Sequence, residues 1–151
     1  MHRPEALDQI RTLLAANDDR TTKAKRLAQL IRSVGPYRWV GLYDVNREEI
    51  AVIAWSGPAP PTHPRFPATQ GLCGAAVSSG ATVIVGDVSQ DPRYLTTFGS
   101  TQSEIVVPVR GSATAVVVGL IDVESERLNA FTYDDRRFLE HCAATIAAFW
   151  Q

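Results

Sequence analysis

At 151 residues and 16.5 kDa, with 45% apolar and 21% charged residues, the chain has the composition of one soluble domain able to bury a core unaided by metals or disulfides. A net charge of −1, from 15 basic and 16 acidic side chains, argues against the basic face that a nucleic-acid partner requires. Two cysteines make no disulfide framework, no spacing matches paired zinc ligands, and the longest apolar run, residues 113–121, is too short to span a bilayer.

The chain opens Met1-His2-Arg3-Pro4-Glu5, without the apolar core of a signal peptide, so a cytoplasmic location with no membrane partner is expected. Leu7, Ile10, Leu13 and Leu14 follow at helical spacing, with Pro4 in the first turn. Asn17-Asp18-Asp19 breaks that pattern. Thr21 or Thr22 is then suited to cap a second helix whose apolar face is Ala24, Leu27, Ala28, Ile31 and Val34, ended by Gly35-Pro36. Residues 39–44 and 49–55 read as strands joined by a hairpin turn at Val45-Asn46-Arg47-Glu48.

Residues 56–70 hold five prolines, which lack the amide donor of a sheet ladder, so the stretch reads as a packed loop and not a strand. Loops of that length in compact domains are often functional lids. A short small-residue helix is expected over 71–79, stopped by Gly80, then a strand over 81–85 and a second polar loop over 87–101. Strands over 104–109 and 113–123 are joined through Arg110-Gly111-Ser112. Thr132-Tyr133-Asp134-Asp135 opens a last helix with Phe138, Leu139, Cys142, Ala143, Ile146 and Trp150 along one side. Hairpin-linked strands flanked by helices indicate an antiparallel α+β domain, an order that suits GAF and PAS domains equally.

Within this frame three groups of residues bear on chemistry. Glu104 begins a strand, while Asp122 and Glu124 end one and share a face because they are two apart. Such carboxylates are either solvated strand ends or the acidic wall of a site for a ligand ammonium, where charge-assisted hydrogen bonds strengthen in a dry setting. Trp39 and Tyr43, four apart, also share a face, as core aromatics or as a pocket wall suited to a sulfur-containing ligand. Cys142 falls on the apolar face of the last helix, as an inert thiol does. Cys73 is either a small core residue or a thiol whose pKa a helix N-terminus lowers.

The motifs Tyr37-Arg38-Trp39-Val40-Gly41-Leu42-Tyr43, Gly71-Leu72-Cys73-Gly74, Ser103-Glu104-Ile105 and Asp122-Val123-Glu124-Ser125 together resemble the free methionine-R-sulfoxide reductases, which are single GAF domains. The resemblance runs from Tyr37 to Phe131. It implies that Glu104, Asp122 and Glu124 hold a substrate amino group, with Glu124 replacing the family's aspartate, and that Trp39 and Tyr43 line the pocket. It also implies three cysteine positions, of which only Cys73 is a cysteine. The position ten residues before it is His63, and the attacking position, seven before Glu104, is Thr97. Sulfoxide reduction of this kind needs a thiolate to attack sulfur and a second thiol to resolve the sulfenic acid. A threonine hydroxyl without a base does not replace it.

The expectation is therefore one GAF domain over 1–151: N-terminal helices in 1–35, sheet and pocket loops in 37–131, and the C-terminal helix in 132–151. A central antiparallel sheet carries the terminal helices on one face and a pocket under loops 56–70 and 87–103 on the other. The pocket is expected to bind a small zwitterionic, amino-acid-like ligand such as methionine sulfoxide through Trp39, Tyr43, Glu104, Asp122 and Glu124, with His63, Cys73 and Thr97 on its loops. Catalysis is not expected. The alternatives are residual reductase activity through Cys73 and an interaction module with a vestigial pocket. No metal or cofactor is expected. A homodimer paired through the terminal helices is expected, and a sensor role requires a separate output partner.

Overall fold

The computed structural model describes residues 2–35, 37–111 and 113–150. Its strands are β1 (Trp39–Val45), β2 (Glu49–Ser56), β3 (Arg65–Pro67), β4 (Val83–Val85), β5 (Ser103–Arg110) and β6 (Val117–Ser125). They form one antiparallel sheet in the order β3-β2-β1-β6-β5-β4. The helices are α1 (Arg3–Ala15), α2 (Arg20–Val34), α3 (Gly71–Ser79) and α4 (Tyr133–Ile146), the last running into a 3-10 turn over Ala147–Trp150.

The period-2 pattern of the central strands divides the interior in two. Val40 and Leu42 of β1, Ile105, Val107 and Val109 of β5, and Ile121 and Val123 of β6 face the terminal helices. There they meet Ala6, Ile10, Leu27, Ile31, Phe138, Leu139 and Ile146. The residues between them in sequence face the other way. Trp39, Tyr43, Val106 and Leu120 form a second core with Ile50, Leu72, Cys73 and Ala76, roofed by α3 and the loops. This two-faced sheet is the α+β arrangement expected from the sequence.

Asp135 ties the helical layer together. It accepts hydrogen bonds from Arg3 Nη2 at 2.7 Å, Tyr37 Oη at 2.9 Å and the Thr132 amide at 2.8 Å. Thr132 Oγ1 in turn accepts from the Asp135 amide, closing a capping box at the start of α4. Burial opposes charge on Asp135, but the bonds from Thr132, Tyr37 and Arg3 outweigh it and hold the carboxyl below its ordinary range.

Several boundaries differ from the sequence reading, each for a local reason. Asp19, not Thr21 or Thr22, caps α2, its side chain accepting from the Thr22 amide at 2.8 Å; that accepted bond places the helix start two or three residues earlier. The proline-rich stretch contains β3, which pairs Arg65, Phe66 and Pro67 with β2 at the sheet's edge. An edge strand tolerates proline, because one side of its ladder has no partner to satisfy. β4 begins at Val83, two residues later than expected, where pairing with β5 starts; Thr82 Oγ1 donates to Glu140 of α4 at 2.6 Å. β6 begins at Val117 because the Gly111 amide donates to Val116 O, leaving residues 113–115 beyond the ladder. Trp150 lies in the 3-10 turn, not on α4, and covers Gly119, where a Cβ would stand 2.2 Å from its ring. The expected breaks at Pro36 and Ser112 lie outside the described residues.

Candidate functional site

Strand register builds the site. On the face away from the terminal helices, Trp39 of β1 is directly across from Glu124 of β6, and Glu124 from Glu104 of β5. One step along, Gly41 is opposite Asp122, and Asp122 is opposite Val106. Three carboxylates thus sit on neighbouring positions of one sheet face. All are buried, Glu104 being 4%, Asp122 2% and Glu124 1% exposed. Like charges facing each other across a ladder are unfavourable, and none of the three takes part in an ion pair among the described residues.

Their protonation follows from that setting. Burial, reinforced by the charges of Asp122 and Glu124, pushes the Glu104 carboxyl well above the carboxylate range. Burial and then Asp122 do the same to Glu124, offset in part by Thr101, whose Oγ1 donates to Glu124 Oε1 at 2.8 Å. Burial pushes Asp122 up to about 6. With all three ionised, Asp122 Oδ1 and Glu124 Oε2 have no donor among the described residues; once protonated, Glu104 and Glu124 can share a hydrogen bond with Asp122. Buried polar atoms are seldom left so, and each such atom calls for an explanation.

Cys73 is drawn into the same cluster from the start of α3. Its Sγ and one carboxylate oxygen each from Glu104 and Asp122 lie within 4.8 Å of one another. Of the two readings open for Cys73, the small core residue holds and the lowered thiol does not: burial, then the charges of Asp122, Glu104 and Glu124, push the thiol well above its ordinary value. Cys142 is buried on α4 in the other core, its thiol pushed up to about 12 by burial.

A small space of about 20 Å³, room for about one water molecule, is bounded by Tyr43, His63, Phe66, Gly71, Leu72, Cys73, Leu95, Thr97, Glu104 and Asp122. Of the eight residues marked from the sequence, the structure brings Tyr43, His63, Cys73, Thr97, Glu104 and Asp122 to this space. Trp39 and Glu124 flank it without lining it.

Two loops close over the site and are tied to it and to each other. Trp39 Nε1 donates to Ala59 O at 3.0 Å, and its ring meets Phe98 edge-on at 5.5 Å. The Thr62 hydroxyl donates to Thr97 O, joining residues 57–64 to residues 91–102. Tyr43 meets Trp39 at 6.4 Å and Phe66 of β3 at 6.1 Å. Burial, before any of the carboxylates, raises the Tyr43 hydroxyl pKa well above its ordinary value, so this group stays neutral.

Sequence reasoning passed over four contributors: Gly41, Phe66, Phe98 and Thr101. Gly41 had a readable signal, a glycine at the period-2 position between two large aromatics. A Cβ there would stand 2.3 Å from the Trp39 ring and 2.9 Å from the Tyr43 ring. Phe66, Phe98 and Thr101 sit in or beside loops whose path no periodicity encodes.

Comparison with known proteins places the fold in a family. A protein from Dictyostelium discoideum called GAF domain-containing protein A is 31% identical over 134 residues, spanning 88% of this chain and 82% of that relative. Among solved structures, the free methionine-R-sulfoxide reductase of Neisseria meningitidis, in complex with its substrate, superposes with a TM-score of 0.87 at 29% identity, over 98% of this chain and 87% of that one. The type II free methionine-R-sulfoxide reductase of Thermoplasma acidophilum gives a TM-score of 0.81 at 33% identity, over 87% of this chain and 95% of that one. With the GAF domain family model matching residues 19–149, nearly the whole of the sheet and its helical cover, this chain belongs to the GAF domain family and is similar in sequence and structure to its free methionine-R-sulfoxide reductases.

Proposed function

We propose that the protein binds a small zwitterionic amino acid, methionine sulfoxide or a relative, through its ammonium group, and does so without reducing it. The observation that carries this reading is the buried, unpaired cluster of Glu104, Asp122 and Glu124. A ligand ammonium relieves the repulsion among them and supplies donors for the unpartnered oxygens of Asp122 and Glu124. Tyr43, Trp39 and the loop phenylalanines offer the aromatic surroundings that a sulfur-bearing side chain favours. The space of about 20 Å³ is smaller than such a ligand, so entry requires residues 57–64 and 91–102 to swing away together, breaking the Thr62–Thr97 and Trp39–Ala59 contacts.

Catalysis is disfavoured by the residues at the reacting positions. Thr97 and His63 stand where the resemblance to the reductases implies thiols, and the thiol of Cys73 is held protonated by burial and then by its acidic neighbours. A protonated thiol is a poor nucleophile towards sulfur. Titration calorimetry with methionine, both sulfoxide epimers and cyclic GMP, alongside an NADPH-coupled thioredoxin assay, tests both halves. The expected result is heat from the amino acids, silence from cyclic GMP and no turnover. Cyclic GMP binding with silent amino acids would overturn the ligand reading. Turnover abolished by Cys73→Ser would overturn the non-catalytic one.

A further inference from the structure

The cluster beneath the loops has a second chemistry that does not depend on the amino-acid reading. We propose that Cys73, Glu104 and Asp122 form a site for one Zn²⁺ ion, with the fourth coordination position towards the wall that His63 and Thr97 complete. The three donors come from α3, β5 and β6, and their ligating atoms already lie within 4.8 Å of one another. A tetrahedral zinc sphere with sulfur at about 2.3 Å and oxygen at about 2.0 Å separates its donors by roughly 3.3–3.5 Å, so the donor atoms need approach one another by at most about 1.5 Å.

Two further observations point to a cation. Asp122 Oδ1 has no hydrogen-bond partner among the described residues when its neighbours are ionised, although Asp122 is only 2% exposed. The space of about 20 Å³ fits a single ion with the loops as they stand, whereas an amino acid requires them to open.

The donor set selects the metal. One thiolate with two carboxylates suits borderline-soft Zn²⁺, while Mg²⁺ and Ca²⁺ favour all-oxygen spheres and gain little from sulfur. On binding at neutral pH, the two protons carried by the Cys73 thiol and the Glu104 carboxyl pass to solvent and the bound 2+ charge replaces them, Asp122 being already largely ionised. No sequence spacing reveals this set, because its donors lie on three separate elements brought together only by the sheet register and by the seating of α3 on it.

The test uses the full chain, stripped with a chelator and dialysed, and titrated with zinc chloride and separately with cobalt chloride. The expected result is one Zn²⁺ per chain, unaffected by a thousand-fold excess of Mg²⁺. The Co²⁺ form is expected to show a thiolate-to-metal charge-transfer band. Cys73→Ser is expected to abolish that band, and Asp122→Asn to weaken Zn²⁺ binding at least about ten-fold, both variants retaining a cooperative melt. Three results would each overturn the proposal: no Zn²⁺ uptake on the order of 100 μM, a Co²⁺ spectrum without sulfur charge transfer, or full-affinity binding in Asp122→Asn. If a variant fails to fold, the wild-type Co²⁺ spectrum alone decides. Amino-acid titrations run in the presence of chelator separate this outcome from that of the ligand reading.

Discussion

Glu104 shows how strongly the site is shaped by charge that the fold does not neutralise. It is buried, stands across the ladder from Glu124, and has its pKa driven up first by burial and then by Asp122 and Glu124. Glutamine has the same shape without the charge, and its amide can donate to the neighbouring carboxylates. Glu104→Gln is therefore expected to stabilise the ligand-free protein at about pH 8 by about 1–2 kcal/mol, raising Tm by roughly 2–8 °C. The same change is expected to weaken an amino-acid ligand by roughly 1.5–3 kcal/mol, through loss of a charge-assisted hydrogen bond. Such opposed effects are the mark of a residue kept for binding at a cost in stability. Differential scanning fluorimetry paired with calorimetry reads both, and a variant less stable than wild type at that pH would contradict the account.

At the scale of elements, β1 links the fold to the site. Its alternate residues Val40 and Leu42 enter the helical core, while Trp39, Gly41 and Tyr43 lie on the opposite face of the sheet, with glycine making room for both rings. Gly41→Ala places a methyl group inside the Trp39 ring's position, and overpacking of this kind costs about 1–3 kcal/mol. Because Trp39 also bonds to Ala59 and packs on Phe98, the displaced ring is expected to loosen both loops. Hydrogen exchange should quicken over residues 57–64 and 91–102 more than in α2; protection unchanged in the loops would show that β1 does not couple to them.

The elements also show what a sequence discloses. α3 was legible to the residue, because small residues run from Gly71 and Gly80 adopts φ +65° at its C-cap. The common face of Asp122 and Glu124 followed from period-2 alternation, and the separation of pocket from terminal helices followed from hairpin order. β3 was hidden because proline content argues against strands in general and only its edge position permits one. The Cys73 environment was hidden for a different reason. A helix N-terminus lowers a thiol pKa, but the burial and carboxylates that outweigh it come from strands distant in sequence.

For the whole molecule, the carboxylates set the pH dependence of stability. Glu104, Asp122 and Glu124 have folded-state pKa values raised above their unfolded ones, Asp122 to about 6. Their protons are held more tightly in the folded state, so stability is fully present below about pH 4 and falls as pH rises through about 6 and beyond. Asp135 acts in the opposite sense: its lowered pKa makes a contribution present above about pH 4 and lost as pH falls below that. The ligand-free protein should therefore be most stable in mild acid, near about pH 4–5, as denaturant titration across the pH range would show. Stability rising steadily towards pH 8 would mean that the cluster is neutralised by something other than protons.

The central claim is that buried acid recognises an ammonium, and a matched ligand pair isolates that interaction. Free methionine-R-sulfoxide and its analogue with hydrogen in place of the amino group share the sulfoxide, the carboxylate and the carbon chain. Titration calorimetry of both against the chelator-treated protein is expected to show the amino acid binding at least about a hundred-fold more tightly, the equivalent of about 2.7 kcal/mol. In Asp122→Asn that preference is expected to shrink. Equal affinity for the two compounds, or tighter binding of the analogue, would contradict the account.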